Sequence, residues 1–343
     1  MLKETLRKLM AHQRLGRGET YECMNLILAG VATPAQISSF ISILSYRGVD
    51  TEELIGMIQS MRDHALPIYM DNTDPIVDTC GTGAGGVKTF NVSTASALVA
   101  SASGLRVAKH GNRAVTSQTG SADVLQELDI SVDLTPGEIK KALDQNNMCF
   151  MFAPIYHQAM KFAATTRKEI GFRSIFNLLG PLTNPAGAKQ QVIGVFDPQY
   201  SLKMAEALHE MGSEHVLIVH GQDGLDECTM ATETLVTELM DGQITSYSIA
   251  PESFGLERSS LHAIQAKSPQ ESAQIIREVI SGKREDVAKD IICLNAGAAL
   301  YVGEKAGSIG EGVQLAQKLV EEGHVLAHYQ RLAQAQGEMK HAY

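Results

Sequence analysis

The first 67 residues place apolar side chains at helical spacing between polar ones. In ATPAQISSFISILSYRG, Thr33 and Gln36 stand three residues apart before an apolar run, which is the pattern of a capping box. The next segment, VDTEELIGMIQSMRDHA, repeats this arrangement with Asp50 and Glu53, and its apolar residues recur every three or four positions. These patterns predict a small helical unit at the start of the chain.

From DPIVDTCGTG onward, short β-branched runs alternate with helical patterns. The runs IVDTC, RVAKHG, MCFMFAP, QVIGVF and HVLIVH predict strands, with helices near 93–103, 120–128 and 199–211 between them. This alternation predicts a mainly parallel sheet with helical crossovers. Asp241-Gly242 between two alternating runs predicts a hairpin, and helical patterns return from about residue 269. The predicted fold class is α/β, with a small helical domain and a larger α/β domain.

Composition narrows the classes of partner. The 343 residues are 44% apolar and carry a formal net charge of -10, which argues against nucleic acid or an anionic membrane as the main partner. The five cysteines are widely spaced and include no CxxC pair, so reduced thiols in a cytoplasmic protein are expected. The charged N-terminus does not resemble a signal peptide, and no apolar window is long enough to span a membrane.

The stretch GTGAGGVKTFNVST follows the first predicted strand and leads into a predicted helix. Glycines allow the backbone to approach a ligand, and the free N–H groups at a helix start attract anions. Asn91, Ser93 and Thr94 add polar side chains. The loop matches neither the Walker motif nor GxGxxG, so neither ATP nor NAD is indicated. A phosphate-binding loop and a tight strand-to-helix turn with a capping serine both remain open on this stretch alone.

Three further segments carry candidate chemistry. VAKHGNRAVTSQTGSAD combines cations with hydroxyls after a strand, which suits a phosphorylated sugar or a solvated polar loop. His157 and Arg167 lie ten residues apart, so we expect them to share one helical face, with Arg167 either pairing with a substrate carboxylate or satisfying nearby carbonyls. HGQDGLDECT places Asp223, Asp226 and Glu227 after a strand, which suits Mg²⁺ or a solvated acidic turn. No GxSxG or HExxH motif indicates a covalent nucleophile or zinc.

Together these segments closely resemble the anthranilate phosphoribosyltransferases of tryptophan biosynthesis over essentially the whole chain. The most specific matches are KHGNR and FNLLGPLTNP, which stand in order with GTG…KTFNVST, FAPIYHQAM and DGLDE. The resemblance implies transfer of a 5-phosphoribosyl group from phosphoribosyl pyrophosphate (PRPP) to the amine of anthranilate. It also implies Mg²⁺, a homodimer and the nucleoside phosphorylase/phosphoribosyltransferase-like fold of the pyrimidine nucleoside phosphorylases. The implied domains are a dimer-forming helical domain of 1–67 plus about 160–183, and a PRPP-binding α/β domain of 68–159 plus 184–343.

The resemblance also implies the site residues, carried over by motif. Residues expected to bind PRPP are Gly81, Thr82, Gly83, Ala84, Gly85, Thr89, Asn91, Val92, Ser93, Thr94, Lys109, His110, Gly111, Asn112, Arg113, Ala114, Val115, Thr116, Ser117 and Ser121. Residues expected to contact anthranilate are Gly81, Asn112, His157, Arg167 and Gly180. The expected metal ligands are Ser93, Asp226 and Glu227. No catalytic acid or base is assigned, and Lys109 and His110 are expected to act by electrostatics and positioning.

One departure and three alternatives accompany this interpretation. Ala84 and Gly85 stand where the family pattern has glycine and aspartate, so a weaker metal or ribose contact is expected in that loop. A pyrimidine nucleoside phosphorylase shares the fold but has a different Lys-His-Ser loop. A nucleic-acid-binding paralogue needs a basic groove, which a chain of charge -10 does not predict. Phosphoribosyl transfer to a different aromatic amine is the third alternative, because an arginine recognises a carboxylate rather than a whole ring.

Overall fold

The computed structural model describes residues 1–68, 70, 75–83, 89–113 and 119–341. The strands are β1 (Ile76–Gly81), β2 (Arg106–Gly111), β3 (Met148–Phe152), β4 (Gln190–Gly194), β5 (His215–Gly221), β6 (Thr234–Met240) and β7 (Gln243–Ile249). The α-helices are α1 (Leu2–Met10), α2 (Arg17–Leu28), α3 (Pro34–Arg47), α4 (Thr51–Asp63), α5 (Val92–Ala102), α6 (Ser121–Glu127), α7 (Pro136–Asn146), α8 (Ala153–Tyr156), α9 (Lys161–Ile170), α10 (Ile175–Leu179), α11 (Ser201–Glu210), α12 (Pro269–Ile280), α13 (Val287–Val302), α14 (Ile309–Glu321) and α15 (His324–His341). Short 3-10 helices cover Gln158–Met160, Pro198–Tyr200, Pro251–Phe254 and Leu261–Ile264.

The N-terminal helices begin where their capping patterns predict. The Thr33 side chain accepts a hydrogen bond from the Gln36 N–H at 3.3 Å, and the Gln36 side chain accepts one from the Thr33 N–H at 3.0 Å. The Asp50 N–H donates to the Glu53 carboxylate in the same way at the start of α4. Glu53 is fully buried and pairs with Arg47 at 2.5 Å. The predicted helical unit is therefore confirmed, and α9 packs against α2 and α3.

The described strands form one sheet with the order β3-β2-β1-β4-β5-β6-β7. The first five strands in this order run parallel. Strand β6 is antiparallel to β5, and β7 is antiparallel to β6. The predicted hairpin is confirmed, because Asp241 and Gly242 have φ angles of 50° and 75° and join β6 to β7. Strand β1 lies between β2 and β4, so the chain order reverses there. Such a reversal opens a crevice at the carboxyl ends of the two strands, where α/β proteins bind ligands.

Both faces of the sheet are covered by helices. Val192 and Leu217 point into a core shared with α5, α6 and the C-terminal helices, whereas the adjacent Ile193 and Ile218 point into a core shared with α2–α4 and α11. Residues on a strand alternate between faces, so a strand buried on both faces reads as a continuous apolar run. No helix in the described ranges is long and apolar enough to cross a lipid bilayer. The division into two domains at residues 67, 160 and 183 stays a prediction.

Candidate active site

Two of the segments singled out in the sequence meet the end of β4 at the carboxyl edge of the sheet. The Thr82 N–H, just after β1, donates to the carbonyl of Gly194 at the end of β4 at 2.9 Å. The Thr82 hydroxyl lies 3.4 Å from the Asp226 carboxylate, to which it donates, and it accepts from the Phe196 N–H at 3.0 Å. The loop after β1, the end of β4 and the acidic loop after β5 therefore form one site.

Glycines allow the acidic loop to approach the sheet closely. A Cβ atom on Gly194 would lie 1.6 Å from the Asp226 carbonyl oxygen, which is far inside contact distance. A Cβ atom on Gly81 would lie 3.3 Å from the Asp226 carboxylate. Gly83 has a φ of 65°, which is the left-handed conformation that favours glycine. The glycines at the ends of β1 and β4 thus determine where Asp226 lies.

The helix start predicted after the glycine loop is confirmed at α5. The Asn91 side chain caps it, because its oxygen accepts from the Thr94 N–H at 3.2 Å and from the Thr94 hydroxyl at 2.5 Å. Thr94 is fully buried and its hydroxyl serves this cap, while Thr89 precedes the helix and Val92 is its first residue. The Asn91 N–H donates to the Ser272 hydroxyl on α12 at 2.9 Å. The Val92 and Thr94 N–H groups already have protein acceptors, so α5 would attract an anion here through its dipole.

A buried lysine connects the glycine loop to the second predicted segment. The Lys109 ammonium on β2 donates to the Thr79 carbonyl and to the Ser93 hydroxyl, the latter at 3.1 Å. Only 1% of Lys109 is exposed, and burial lowers the pKa of its ammonium while the nearby Asp78 opposes that shift. Lys109 therefore contacts the site through its hydrogen bond to the Ser93 hydroxyl.

The three expected metal ligands lie together beside this lysine. The Glu227 carboxylate accepts a hydrogen bond from the Ser93 N–H, and burial, followed by repulsion from Asp226, raises the pKa of Glu227. Among the described residues, no group of three His, Cys, Asp or Glu side chains is arranged to hold a metal by itself. Two carboxylates and a hydroxyl are a hard-oxygen donor set that leaves positions for water and phosphate oxygens, which is how Mg²⁺ usually binds. The residues present fit Mg²⁺.

Below the site, Asp78 and Asn184 form a buried polar pair that the sequence analysis did not single out. One oxygen of the Asp78 carboxylate accepts from the His110 N–H at 3.1 Å, and the other accepts from the Asn184 amide at 2.8 Å. The Asn184 amide also donates to the Ala108 carbonyl at 3.0 Å. This pair ties β1, β2 and the segment after α10 together. The signal in the sequence was a carboxylate in an otherwise apolar strand, which requires a partner when buried.

The rings of His110 and His157, both expected at the substrate site, are in contact. The ring centroids of His110 and His157 lie 5.1 Å apart. His110 hydrogen-bonds the backbone of Gly180, and His157 bonds the Thr183 carbonyl at 2.9 Å. Burial lowers the pKa of His110 to about 3, with a further contribution from His157, and burial lowers the pKa of His157 to about 4. Both rings are therefore neutral at pH 7.

The expectation that His157 and Arg167 share one helical face is wrong. Helix α8 ends at Tyr156, His157 has φ -115° and ψ 55°, and α9 begins only at Lys161. Tyr156 is buried and donates to the Leu134 carbonyl at 2.6 Å, while His157 is held by the segment after α10. These anchors lie on different elements, so a continuous helix through residue 157 would lose them.

Arg167 on α9 is the candidate for binding a carboxylate. Its guanidinium carbon lies 5.0 Å from the centroid of the Phe176 ring, and burial lowers the pKa of the group. Within the part of the chain that the structure describes, Arg167 forms no ion pair. A desolvated arginine that stacks on an aromatic ring keeps its donors for a planar bidentate partner.

Other predicted residues are engaged elsewhere. The Arg113 guanidinium pairs with Asp123 at 2.6 Å and with Gln126 at 2.8 Å, so it lies against α6. The Ser121 hydroxyl donates to the Asn112 carbonyl at 3.3 Å and lies against Gly111. Predicted residues that lie outside the described ranges are Ala84, Gly85, Ala114, Val115, Thr116 and Ser117.

Comparisons with known proteins cover both parts of the chain. Residues 73–326 match the model of the glycosyl transferase family, a/b domain, and residues 3–65 match the glycosyl transferase family, helical bundle domain. The chain is 48% identical to the anthranilate phosphoribosyltransferase of Geobacillus sp. (strain WCH70), and the match covers 97% of both chains.

Solved structures agree with this match. The crystal structure of anthranilate phosphoribosyltransferase from Thermus thermophilus superposes with a TM-score of 0.89 at 38% identity, over 96% of this chain and 98% of that one. The Saccharomyces cerevisiae enzyme in complex with PRPP and Mg gives a TM-score of 0.89 at 26% identity, over 98% of both chains. On the strength of its sequence, its fold and the residues gathered at the carboxyl edge of its sheet, the chain belongs to the anthranilate phosphoribosyltransferase family.

Proposed function

We propose that this chain transfers the 5-phosphoribosyl group from PRPP to the amine of anthranilate, yielding N-(5-phosphoribosyl)anthranilate and pyrophosphate. This is the second step from chorismate to tryptophan. The observation that carries the proposal is the meeting of the α5 N-terminus, the Asp226–Glu227 pair and the loop after β1 at one crevice, in a chain that matches the family over its whole length.

The PRPP end of the site is the crevice between β1 and β4. In this proposal the phosphates of PRPP lie at the N-terminus of α5, where the helix dipole favours an anion, and Lys109 supports them through Ser93. Ser93, Asp226 and Glu227 hold Mg²⁺, which neutralises charge on pyrophosphate when it is bound. The Arg113 N–H and the Ser121 hydroxyl both donate to Asn112, so these three residues lie together next to the end of β2.

The anthranilate end of the site lies toward α9 and α10, on the face of the sheet that packs against the helical part. Arg167 pairs with the carboxylate of anthranilate, and Asn112, Gly180 and the neutral rings of His110 and His157 surround the aromatic amine. The amino group of an aromatic amine is in its neutral NH2 form at neutral pH, so the chain does not need a strong base to deprotonate it before it reacts. Neutral imidazoles also avoid repelling the positive charge that develops at the ribosyl carbon.

The chain's own contribution to the reaction is positioning and electrostatics. The C–O bond to pyrophosphate breaks as the C–N bond to the amine forms, and positive charge builds up on the ribosyl carbon between them. The electron pair of the C–O bond leaves with pyrophosphate, and the newly formed secondary ammonium releases one proton to pyrophosphate or water. The positive end of the α5 dipole and the Lys109 ammonium stabilise the departing oxygens. Holding both substrates at the correct distance replaces the encounter of two molecules in solution. No covalent intermediate is required.

The proposal includes a homodimer and a cytoplasmic location. Apolar side chains stand exposed on the helical part, with Val31 67% and Phe162 44% exposed. A symmetric interface would cover such a surface on both copies. All five cysteines are buried free thiols, as suits a reducing compartment.

A fluorescence assay tests the activity. Anthranilate is fluorescent, so its signal should decay when micromolar enzyme, PRPP and Mg²⁺ are mixed and should stay constant when any one is omitted. An unchanged signal in the complete mixture would refute the proposal. Decay with a different aromatic amine but not with anthranilate would reassign the acceptor. Retention on heparin at physiological salt without any decay would favour a nucleic-acid-binding paralogue.

A further inference from the structure

We infer that Asn295, in the middle of α13, is a positioning residue that holds the acidic loop in the geometry needed to bind Mg²⁺ and PRPP. The inference rests on the proposed function, because it takes Asp226 and Glu227 as the metal ligands. Asn295 belongs to the segment LNAGAAL, for which the sequence analysis found no role.

The Asn295 side chain binds the backbone immediately after Glu227. Its oxygen accepts from the Cys228 N–H at 2.9 Å, and its nitrogen donates to the Cys228 carbonyl, also at 2.9 Å. The same nitrogen donates to the Ile291 carbonyl within α13 at 2.9 Å. The amide therefore pairs with Cys228 as a neighbouring β-strand would, and it fixes the peptide planes on both sides of that residue.

The needs of helix α13 alone do not explain an asparagine at position 295. Asparagine is less favourable than alanine or leucine inside a helix, and α13 is otherwise apolar around this position. Asn295 is 2% exposed and Cys228 is fully buried, so the amide was taken out of water to make these bonds. An apolar side chain would suit the helix better unless the loop needed to be held.

Helix α13 also supports the other half of the metal site. The Ser96 hydroxyl on α5 lies 3.4 Å from the Ile292 carbonyl of α13, to which it donates, one turn from Ser93. The acidic loop is bound to α13 through Asn295, and the N-terminus of α5 packs on the same helix. The separation between Ser93 and Glu227 is therefore set by their common support.

The supporting helix is itself held closely. A Cβ atom on Gly312 of α14 would lie 2.2 Å from the carbonyl of Gly297, and one on Gly297 would lie 2.6 Å from the backbone nitrogen of Val313. The two helices thus touch backbone to backbone, close to Asn295 along α13. Such a contact leaves α13 little freedom to slide, so the position of Asn295 is passed on to the loop.

Titration calorimetry with Mg²⁺ and PRPP, in the absence of anthranilate, tests the inference without turnover. Asn295→Leu removes both bonds to Cys228, and we expect it to weaken binding about 10- to 100-fold, the usual range for a residue that orients a metal ligand. The KM for anthranilate should change less than the affinity for Mg²⁺–PRPP, because Arg167 is held on α9 against Phe176 and not by the acidic loop. In hydrogen exchange, the Cys228 amide should lose protection in the free enzyme.

Leu300→Ala is the matched control, because Leu300 is buried in the same helix and its side chain has no hydrogen-bonding group with which to hold the loop. It should lower thermal stability and leave Mg²⁺–PRPP affinity unchanged. If Asn295→Leu does not fold, Asn295→Ala removes the same bonds without added bulk, with a residue that favours the helix, and should give a loss of affinity in the same direction.

Glu227→Gln separates the inference from the proposed function. If Glu227→Gln weakens Mg²⁺–PRPP binding and the Asn295 variants do not, the inference is wrong and the metal site stands. If Asn295→Leu and Leu300→Ala weaken binding equally, Asn295 acts only through stability and the inference is also wrong. If Glu227→Gln has no effect on binding, the metal assignment fails and the inference fails with it.

Discussion

At the residue scale, the position of Asp226 depends on the absence of a side chain at Gly194. Gly194→Ala would place a methyl group 1.6 Å from the present position of the Asp226 carbonyl oxygen, so the acidic loop must shift away from β4. We expect kcat/KM to fall at least about tenfold and the Mg²⁺ requirement to rise, since displaced ligands bind the metal less well. Steady-state kinetics over a Mg²⁺ titration measures both effects.

Gly137→Ala is the control for that substitution. Gly137 lies in α7 and requires no left-handed backbone, and a methyl group added to it would meet no other atom within 4 Å. Alanine should therefore leave the kinetics unchanged and slightly stabilise the helix. Equal activity of the two alanine variants would show that the acidic loop tolerates displacement.

Arg167 carries the second prediction at this scale. Arg167→Ala should raise the KM for anthranilate by roughly 10- to 100-fold, because a hydrogen bond to a charged group contributes about 1.5–3 kcal/mol. The KM for PRPP should change less than about twofold. Lys168→Ala removes the same charge from the next residue of α9 and should change neither constant. Equal increases in both KM values for Arg167→Ala would contradict a role in binding the carboxylate.

Single residues also mark how far the site could be predicted. Ser93, Asp226 and Glu227 could be predicted from motifs, because Ser93 stands at the start of a predicted helix and the two acids follow a predicted strand. Asn184 and Asn295 were not, because their partners Asp78 and Cys228 lie 106 and 67 residues away in the sequence. A long-range side-chain bond leaves no local pattern. Thr94 was expected to contact the substrate, but local chemistry instead uses its hydroxyl in the cap of α5.

At the scale of elements, α15 is docked through a buried histidine. The His328 ring lies 2.8 Å from the Ser101 hydroxyl of α5, and burial, with a further contribution from Arg331, lowers the pKa of His328 to about 4. The unfolded chain, with an ordinary histidine pKa near 6.5, binds this proton more readily. The free energy of unfolding therefore falls as the pH drops from 6.5 toward 4.

His328→Gln keeps a side chain that can bond Ser101 and removes the titration. Relative to the wild type, we expect the variant to gain about 2 kcal/mol of unfolding free energy between pH 7.5 and pH 5. Urea unfolding curves at the two pH values measure this difference. His110 and His157 titrate in both proteins, so their contributions cancel. A constant difference between the two proteins would contradict a buried neutral His328.

Local sequence patterns predicted most of these elements and missed one break between two helices. Capping boxes and β-branched runs predicted α3, α4 and the strands, because those signals act within a few residues. The break between α8 and α9 was missed, because it is caused by anchors on other elements that hold Tyr156 and His157. Helical spacing describes which residues can share a face and does not show whether the helix is continuous.

At the scale of the whole molecule, the exposed apolar surface of the helical part predicts the assembly. A double variant, Val31→Asp with Phe162→Glu, places charges on that surface, and twofold symmetry repeats them on the partner. We expect the dimer dissociation constant to rise by about 100-fold or more. Sedimentation equilibrium over a concentration series measures it.

Leu202→Asp is the control for the assembly. Leu202 is 51% exposed on α11, outside the helical part, so its substitution should leave the dissociation constant unchanged. A monomeric wild type would contradict the proposed dimer. A dimer that dissociates only with Leu202→Asp would place the interface outside the helical part.

The position of β1 has a consequence for how the enzyme acquires its activity. Strand β1 pairs with β2, which follows it closely in the chain, and with β4, which begins 114 residues after the start of β1. Pairing over so long a separation forms late, because closing the intervening loop costs entropy before any contact is gained. A chain in which only β1, β2 and β3 had paired would have the glycine loop and Lys109 in place, but neither Gly194 nor the acidic loop. The rate at which turnover recovers during refolding therefore reports the pairing of β1 with β4, and not the first collapse of the chain.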